Sequence, residues 1–325
     1  MYGLHDYARM IADRPRIEAL RRALEATVKP GAVVVDVGAG TGILSVLACK
    51  LGARRVYAIE PNEAVEVARE VAADNGCADR VVLLREDALR VTLPERADVV
   101  VSDLRGGMPL ATGNLPVIAH ARERFLAPGG ALVPASDTLF AAVVSSAAAY
   151  ERAVGPAAAG DVTLAAMRAR LANSVHRDRT RSIGEPDLLT PGAAWATLDY
   201  TTLAPGPVNG RARWRAERDA VGHGLLLWFE ATLAQGVTFS TRPGRDTVYP
   251  QIFLPWSEPV AIRAGDEIVV DLWATAEGET WGWNATVGAP GGEARALLKQ
   301  STFLSAPARP GGKGERPEGR PRRAP

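Results

Sequence analysis

An apolar β-branched run, three closely spaced glycines and a helix-period run follow one another in VVVDVGAGTGILSVLACK, residues 33–50. The same order of strand-like and helix-like text recurs through the first 133 residues. Strand-like runs fall at Val33–Val37, Arg55–Ile59, Val81–Leu84, Ala97–Ser102 and residues 131–133. Helix-period segments fall at residues 43–51, 63–75 and 115–126. Such alternation predicts a parallel sheet with helices on both faces, because only a crossover can join parallel neighbours. LAPGGAL, residues 126–132, is expected to stop the last helix and turn tightly into the last strand.

The texture changes at Pro134. A helix-period piece, DVTLAAMRARLANSVHR (residues 161–177), follows a Gly/Ala/Pro loop and sets Leu164, Met167, Arg168 and Leu171 at helical spacing. Short alternating runs then succeed one another, broken by Gly and Pro, which predicts an all-β sandwich or barrel. Six of the seven tryptophans lie between Trp214 and Trp283, where core packing and strand pairing account for them better than a ligand cage. The division expected is 1–133, 134–305 and a tail at 306–325. That tail is rich in Pro, Gly and Arg, cannot bury enough apolar surface to fold, and is expected to be disordered.

Composition excludes several classes of function. Lys+Arg 38 against Asp+Glu 37 leaves a net charge of +1, so nothing calls for nucleic acid or an anionic membrane as partner. The N-terminus lacks an apolar signal region, and the most apolar run is too short to span a bilayer. Cys49 and Cys77 are far apart in sequence and have no metal-ligand spacing. No disulfide and no metal are expected, and a cytoplasmic location fits.

The glycine loop carries the chemistry. Gly38, Gly40 and Gly42 stand at the end of a strand and the start of a helix, where backbone can approach a ligand closely. Their spacing is G-x-G-x-G, not the G-x-G-x-x-G of a dinucleotide pyrophosphate site. Asp36 leads the loop, and a carboxylate there suits a cationic ligand group rather than a phosphate. Glu60 ends the second strand, placed to accept from ribose hydroxyls. Asp87 can accept from an adenine amino group while the Ala88 N–H faces a ring nitrogen. Together with Thr41 and Pro61 beside them, these residues describe a site for S-adenosylmethionine.

On these motifs, and on MIADRPR (10–16), GARRVYAIE (52–60), FLAPGGALVP (125–134) and FSTRP followed by YPQIFLPWSEPVAIRAGDEI (249–268), the chain resembles the protein arginine N-methyltransferase family over nearly all its length. The resemblance implies an α/β plus β architecture. A Rossmann-like S-adenosylmethionine-dependent methyltransferase domain with an N-terminal capping helix is joined to a β-barrel with a helical dimerisation arm, here about residues 161–177. It implies that Arg16 binds the cofactor carboxylate and that Met10 lies against the reactive centre. Gly38, Glu60 and the Asp87–Ala88 turn fall on further cofactor positions, and Tyr7 stands where the family often has a contacting histidine.

The resemblance fails where a guanidinium would be held. The family supplies two glutamates on the loop after the fourth strand; here that loop reads SDLRGGMPLATGN. Asp103 replaces the first, Thr112 or a neighbour stands for the second, and no acid occurs between Asp103 and Glu123. Arg105 on the same loop would repel a guanidinium. The family's Thr-His-Trp loop is altered too, with Val248 and Tyr249 in place of its last two residues. His5, His120 and His223 are candidate bases. The expectation is a methyltransferase with Asp103 at its catalytic centre, passing methyl to an N or O acceptor on a small molecule or protein, and working as a homodimer. The alternatives are guanidino methylation with a reduced acidic clamp, and a cofactor-binding homologue without turnover.

Overall fold

The computed structural model describes residues 2–110, 113–276, 278 and 280–305. Thr112 and the 306–325 tail lie outside the described residues.

Two helices open the chain, α1 (Leu4–Ala12) and α2 (Arg14–Thr27). Asp13 separates them and caps α2, its Oδ1 accepting from the Arg16 backbone N–H at 3.0 Å. Then come β1 (Val33–Val37), α3 (Ile43–Lys50), β2 (Arg55–Ile59), α4 (Ala64–Asp74), β3 (Val81–Leu84), β4 (Ala97–Ser102), α5 (Asn114–Arg124) and β5 (Leu126–Val133). The five strands form one parallel sheet in the order β3-β2-β1-β4-β5. Every residue of β1 is buried, as befits a central strand covered on both faces; its text is apolar except for Asp36. The strand order reverses beside β1, which opens a crevice at the carboxyl ends of β1 and β4.

Two expectations for this half are corrected. Strand β5 begins at Leu126 rather than at residue 131, and the Pro-Gly-Gly stretch is a bulge within it, not a turn before it. Register shifts between Ala97↔Leu126 and Val99↔Ala131. A Cβ on Gly130 would lie 2.9 Å from the Asp98 carbonyl oxygen, so the bulge needs a glycine there. The expectation of no disulfide is also overturned: Cys49 and Cys77 are bonded, with Cα atoms 6.3 Å apart. Helices α3 and α4 flank the same stretch of sheet and run against its strands, so their C-terminal ends meet. Cys49 closes one and Cys77 follows the other, a proximity that separation along the chain does not reveal.

Beyond Pro134 the chain is mostly antiparallel. In order it forms β6 (Ser136–Val144), α6 (Ala147–Val154), β7 (Ala158–Ala159), β8 (Val162–Thr163), α7 (Ala165–Leu171), β9 (His176–Asp178), β10 (Ala193–Asp199), β11 (Val208–Arg215), β12 (Ala220–Ala234), β13 (Val237–Ser240), β14 (Gln251–Ile262), β15 (Glu267–Ala274), β16 (Trp281–Gly288) and β17 (Ala294–Ser301). One sheet runs β10-β6-β12-β14-β9, with β13 on β12; the other runs β11-β15-β16-β17. Their inner faces pack together, as the strict alternation of buried residues along β15 records. Trp195, Trp214, Trp256, Trp281 and Trp283 are buried in this core, and Trp228 stacks on Phe140. Trp273 lies flat over Gly282, its cross-strand partner, where a Cβ could not fit.

The arm at residues 161–177 is not one helix. Only Ala165–Leu171 is helical; β7 and β8 form a small hairpin before it, and β9 joins the barrel edge after it. Among the described residues no helix is long and apolar enough to cross a membrane.

The N-terminal helices are tied to the barrel. Asp13 Oδ2 accepts from Thr247 Oγ1 at 2.9 Å and from the Val248 backbone N–H at 2.8 Å. Because the second bond comes from the backbone, it does not depend on the side chain at 248.

Candidate active site

At the carboxyl ends of β1, β2, β3 and β4, under α1, lies a cavity of about 740 Å³. The glycine loop forms one wall. Gly38 and Gly40 have φ of +75° and +55°, which side-chain-bearing residues adopt only under strain. A Cβ at Gly40 would lie 2.6 Å from the Tyr7 ring, so the loop backbone and the capping helix touch directly. Thr41 and Pro61 also line the cavity.

Glu60, buried at the end of β2, holds this wall. Its Oε2 accepts from the Gly40 N–H at 2.9 Å; its Oε1 accepts from Asn62 N and Nδ2 at 2.9 and 2.7 Å. A carboxylate offers about four acceptor positions, so one is left for a ligand hydroxyl. Asp87 and Ala88 line the cavity after β3, with Asp87 Oδ1 taking the Leu89 N–H at 2.9 Å. Burial, and then the Glu60 charge, push the Tyr7 phenol up to about 12, which keeps it a donor at neutral pH.

Arg16 and Met10 reach the cavity from the N-terminal helices. Arg16 donates from Nη1 to the Met10 carbonyl at 3.0 Å and from Nε to Asp103 at 2.6 Å, with Nη2 2.5 Å from the same carboxylate. One N–H on each Nη is without a partner among the described residues, enough for a ligand carboxylate.

Asp36 and Gly42 do not line the cavity. Asp36 is fully buried within β1, where Ser45 Oγ of α3 donates to its Oδ2 at 2.7 Å. Burial pushes its carboxyl up to about 6, against the pull of the Ser45 hydrogen bonds. Gly42 caps α3, and a Cβ there would lie 2.9 Å from that of Ala68, so it permits α3 and α4 to pack.

Asp103 is at the centre of a buried network that crosses from one sheet system to the other. Its side chain is 5% exposed, and that of Arg105 is 1% exposed. Arg105 Nε donates to Asp103 Oδ1 at 2.9 Å, and its Nη1 to Asp137 Oδ1 at 3.3 Å. The Tyr249 hydroxyl lies 2.7 Å from both Asp103 oxygens, and the Tyr200 hydroxyl donates to Asp137 Oδ2 at 2.6 Å. The Arg105 guanidinium sits over the Phe229 ring, 5.2 Å from its centre. Burial alone would raise the Asp103 pKa, yet the Arg105 and Arg16 charges hold it well below the carboxylate range. Burial would also depress both arginines, and the Asp103 charge keeps them firmly protonated. Burial raises Asp137, and Arg105 only partly offsets this.

The expected catalytic role for Asp103 therefore meets a physical obstacle. Arg16, Arg105 and Tyr249 between them fill the acceptor positions of its two oxygens. Arg105 does not point a loose charge at a ligand; it is consumed within the protein. Asp137, Tyr200 and the hydroxyl of Tyr249 were not legible as members of a site, because the bonds span 32 to 146 positions. A lone arginine two residues after the loop's one acid, Asp103, was the one available signal. None of His5, His120 and His223 lines the cavity.

The glycine wall that a Cβ would obstruct, the spare acceptor position on Glu60 and the spare donors on Arg16 fit S-adenosylmethionine. Comparison with known proteins agrees. The family model described as Ribosomal protein L11 methyltransferase (PrmA) matches residues 19–108. Protein arginine N-methyltransferase 6 of Xenopus tropicalis is 30% identical over 276 residues, 81% of each chain. Probable protein arginine N-methyltransferase 6 of Arabidopsis thaliana is 32% identical over 235 residues, 70% of this chain; the match spans only 54% of that relative's length. The solved Trypanosoma brucei PRMT1 enzyme-prozyme heterotetrameric complex with AdoHcy superimposes with a TM-score of 0.80 at 21% identity, covering 93% of this chain and 98% of that one, a likeness of fold. The two-part fold is that of S-adenosylmethionine-dependent methyltransferases with an appended barrel, and the chain belongs to the protein arginine N-methyltransferase family.

Proposed function

We propose that the protein is an S-adenosylmethionine-dependent methyltransferase whose acceptor is not a guanidinium held between paired carboxylates. The observation that carries this reading is the saturation of Asp103 by two of the chain's own guanidinium groups. A substrate guanidinium needs acceptor oxygens in a fork to orient one nitrogen and localise its charge. Asp103 has none to spare, and the described part of the following loop supplies no other acid. An amine, hydroxyl or carboxylate acceptor makes no such demand.

The cofactor, when bound, supplies a methyl group already activated on a sulfonium. The chain's own residues then have three tasks. Glu60, Asp87 and Ala88 hold the nucleoside, with Arg16 placed for the carboxylate. Tyr7 and Met10 on α1 close the cavity and exclude water. Asp103 keeps Arg16 in place rather than touching the acceptor, which makes it a positioning residue. Orienting a nucleophile beside an activated donor is itself a large part of the catalysis such a reaction needs. A homodimer formed through α7 and its hairpin accompanies this reading, since Val162 and Met167 expose apolar side chains there, at 58% and 42%.

A second reading, guanidino N-methylation, is favoured by the names of the relatives. The two are separated by incubating the protein with methyl-tritiated S-adenosylmethionine and either guanidino substrates, an Arg-Gly-rich peptide or free arginine, or a protein-free metabolite extract freed of guanidino compounds. Label in the extract and none in the guanidino substrates is the expected outcome. Efficient labelling of the peptide or of free arginine would replace the first reading by the second.

A further inference from the structure

Resting on that reading, we propose that Arg177 and Arg179 form an anion subsite that holds the carboxylate or phosphate of a small-molecule methyl acceptor. Both arginines line the same cavity as the glycine loop, next to Val248, Tyr249 and Pro250. Strand β9 pairs with β14 so that Arg177 faces Ile252 and Asp178 faces Gln251. Arg177 stands on β9 and Arg179 in the turn that follows it, and both side chains reach the cavity lining. Among the described residues neither arginine has a carboxylate within 4.0 Å; Arg9, the other exposed arginine of the lining, is paired with Asp6.

The segment that carries them is fixed. Asp178 Oδ1 accepts from Thr180 N and Oγ1 at 2.8 and 2.6 Å, and its Oδ2 accepts from Ser182 N at 2.8 Å. These bonds outweigh burial and hold the Asp178 carboxyl at about 2. Arg181 reaches back to the Tyr249 and Thr241 carbonyls at 2.7 and 3.1 Å, tying the turn to the cavity wall. The pinned turn fixes the backbone from which the two guanidinium groups reach, so only side-chain freedom is lost on gripping an anion.

Charge accounting places the ligand class. Glu60 and Asp87 belong to the nucleoside side of the cavity. Asp103 and Arg16 neutralise one another, as do Asp6 and Arg9, although Asp6 also feels the Arg179 charge. What is left uncompensated outside the nucleoside-binding residues of the lining is the positive charge of Arg177 and Arg179. A cationic acceptor would be repelled there, and an anionic one drawn in. The cavity volume, within the range of about 300–1,000 Å³ usual for small-molecule sites, suits a cofactor plus a small acid.

The test uses the full chain, wild type and carrying Arg177→Gln with Arg179→Gln, and a second pair carrying Lys at both positions. Each is incubated with methyl-tritiated S-adenosylmethionine and a protein-free metabolite extract. The extract is split by ion exchange into anionic and neutral-plus-cationic fractions. Label should enter the anionic fraction, fall about tenfold or more in the Gln pair, and return in part with the Lys pair. Affinity for S-adenosylhomocysteine should stay within about twofold throughout, since neither arginine belongs to the nucleoside wall. Phosphatase treatment of the anionic fraction separates phosphate esters, whose labelling it abolishes, from carboxylates, whose labelling survives. Label in the neutral-plus-cationic fraction, equal labelling by the Gln pair, or no label in any fraction by a protein that binds S-adenosylhomocysteine would overturn the subsite. Failure to bind S-adenosylhomocysteine would instead overturn the methyltransferase reading beneath it.

Discussion

Replacing Asp103 by Asn keeps the shape of the side chain and removes its charge. In the wild type that carboxylate faces Arg16 at 2.5 Å and Arg105 at 2.9 Å, with all three side chains less than a tenth exposed. The amide offers one oxygen and one N–H₂ where two oxygens stood, so one of the two arginines loses its acceptor and meets a donor. Breaking a buried pair by removing one partner costs about 3–5 kcal/mol. At about 1.5 °C per kcal/mol for a chain of 325 residues, Tm should fall by about 4–8 °C. Since Asp103 also orients Arg16, affinity for S-adenosylhomocysteine should fall about tenfold. The Asp103 pKa is lower in the folded protein, so its contribution is present at neutral pH and is lost as pH falls below the ordinary 3.8. The gap between variant and wild type should therefore narrow in acid. Thermal denaturation across pH, with calorimetric titration of the cofactor product, reads both effects. A variant with wild-type Tm and wild-type affinity but much reduced turnover would refute the reasoning and return Asp103 to the acceptor.

The other expectations concern the same network, the buried acid of β1 and the arm. Arg105→Met should destabilise by about 3–5 kcal/mol, and adding Asp137→Asn should recover part of that loss, because the second change removes the charge left unpaired; strictly additive losses in chemical denaturation would count against the coupling. For Asp36 the folded pKa lies at about 6 against an ordinary 3.8, so its contribution is present below 3.8 and lost as pH rises through 6, a difference of about 3 kcal/mol. Asp36→Asn should accordingly gain stability relative to wild type between pH 4 and pH 7, and parallel pH profiles would show that the carboxyl is not held up by burial. Replacing Val162 and Met167 by Asp should convert a dimer to a monomer in light scattering at micromolar concentration, and a monomeric wild type would remove the arm from the account.

The parallel sheet was legible because its chemistry is local. A central strand buried on both faces is largely apolar, as Val33–Val37 is apart from Asp36, and a loop that meets a ligand with its backbone is glycine-rich, as residues 38–42 are. The cavity residues Glu60, Asp87 and Ala88 follow strand ends and were found for the same reason. Asp36 misled because its position in sequence says nothing of which way a buried side chain turns. In the arm, the stripe from Leu164 to Leu171 promised a long helix, but Asp161 and Val162 enter a hairpin and Asn173 and Ser174 end the helix through local bonds. The Cys49–Cys77 bond and the Arg16–Asp103–Arg105–Asp137 network depend on packing between elements far apart in the chain, which no short-range pattern encodes.

The central claim is that the glycine-walled cavity binds S-adenosylmethionine through Gly40 and Glu60. Calorimetric titration with S-adenosylhomocysteine tests it on the wild type, Gly40→Val and Glu60→Ala. Gly40→Val forces a β-branched residue to φ +55° and drives its Cβ towards the Tyr7 ring, 2.6 Å away. Glu60→Ala removes the ligand's acceptor, and a hydrogen bond to a charged group contributes about 1.5–3 kcal/mol, or about 10- to 150-fold in affinity. Saturable one-to-one binding by the wild type, weakened at least tenfold in both folded variants, is the predicted result. Equal affinity in all three proteins, or no binding by any of them, would contradict it.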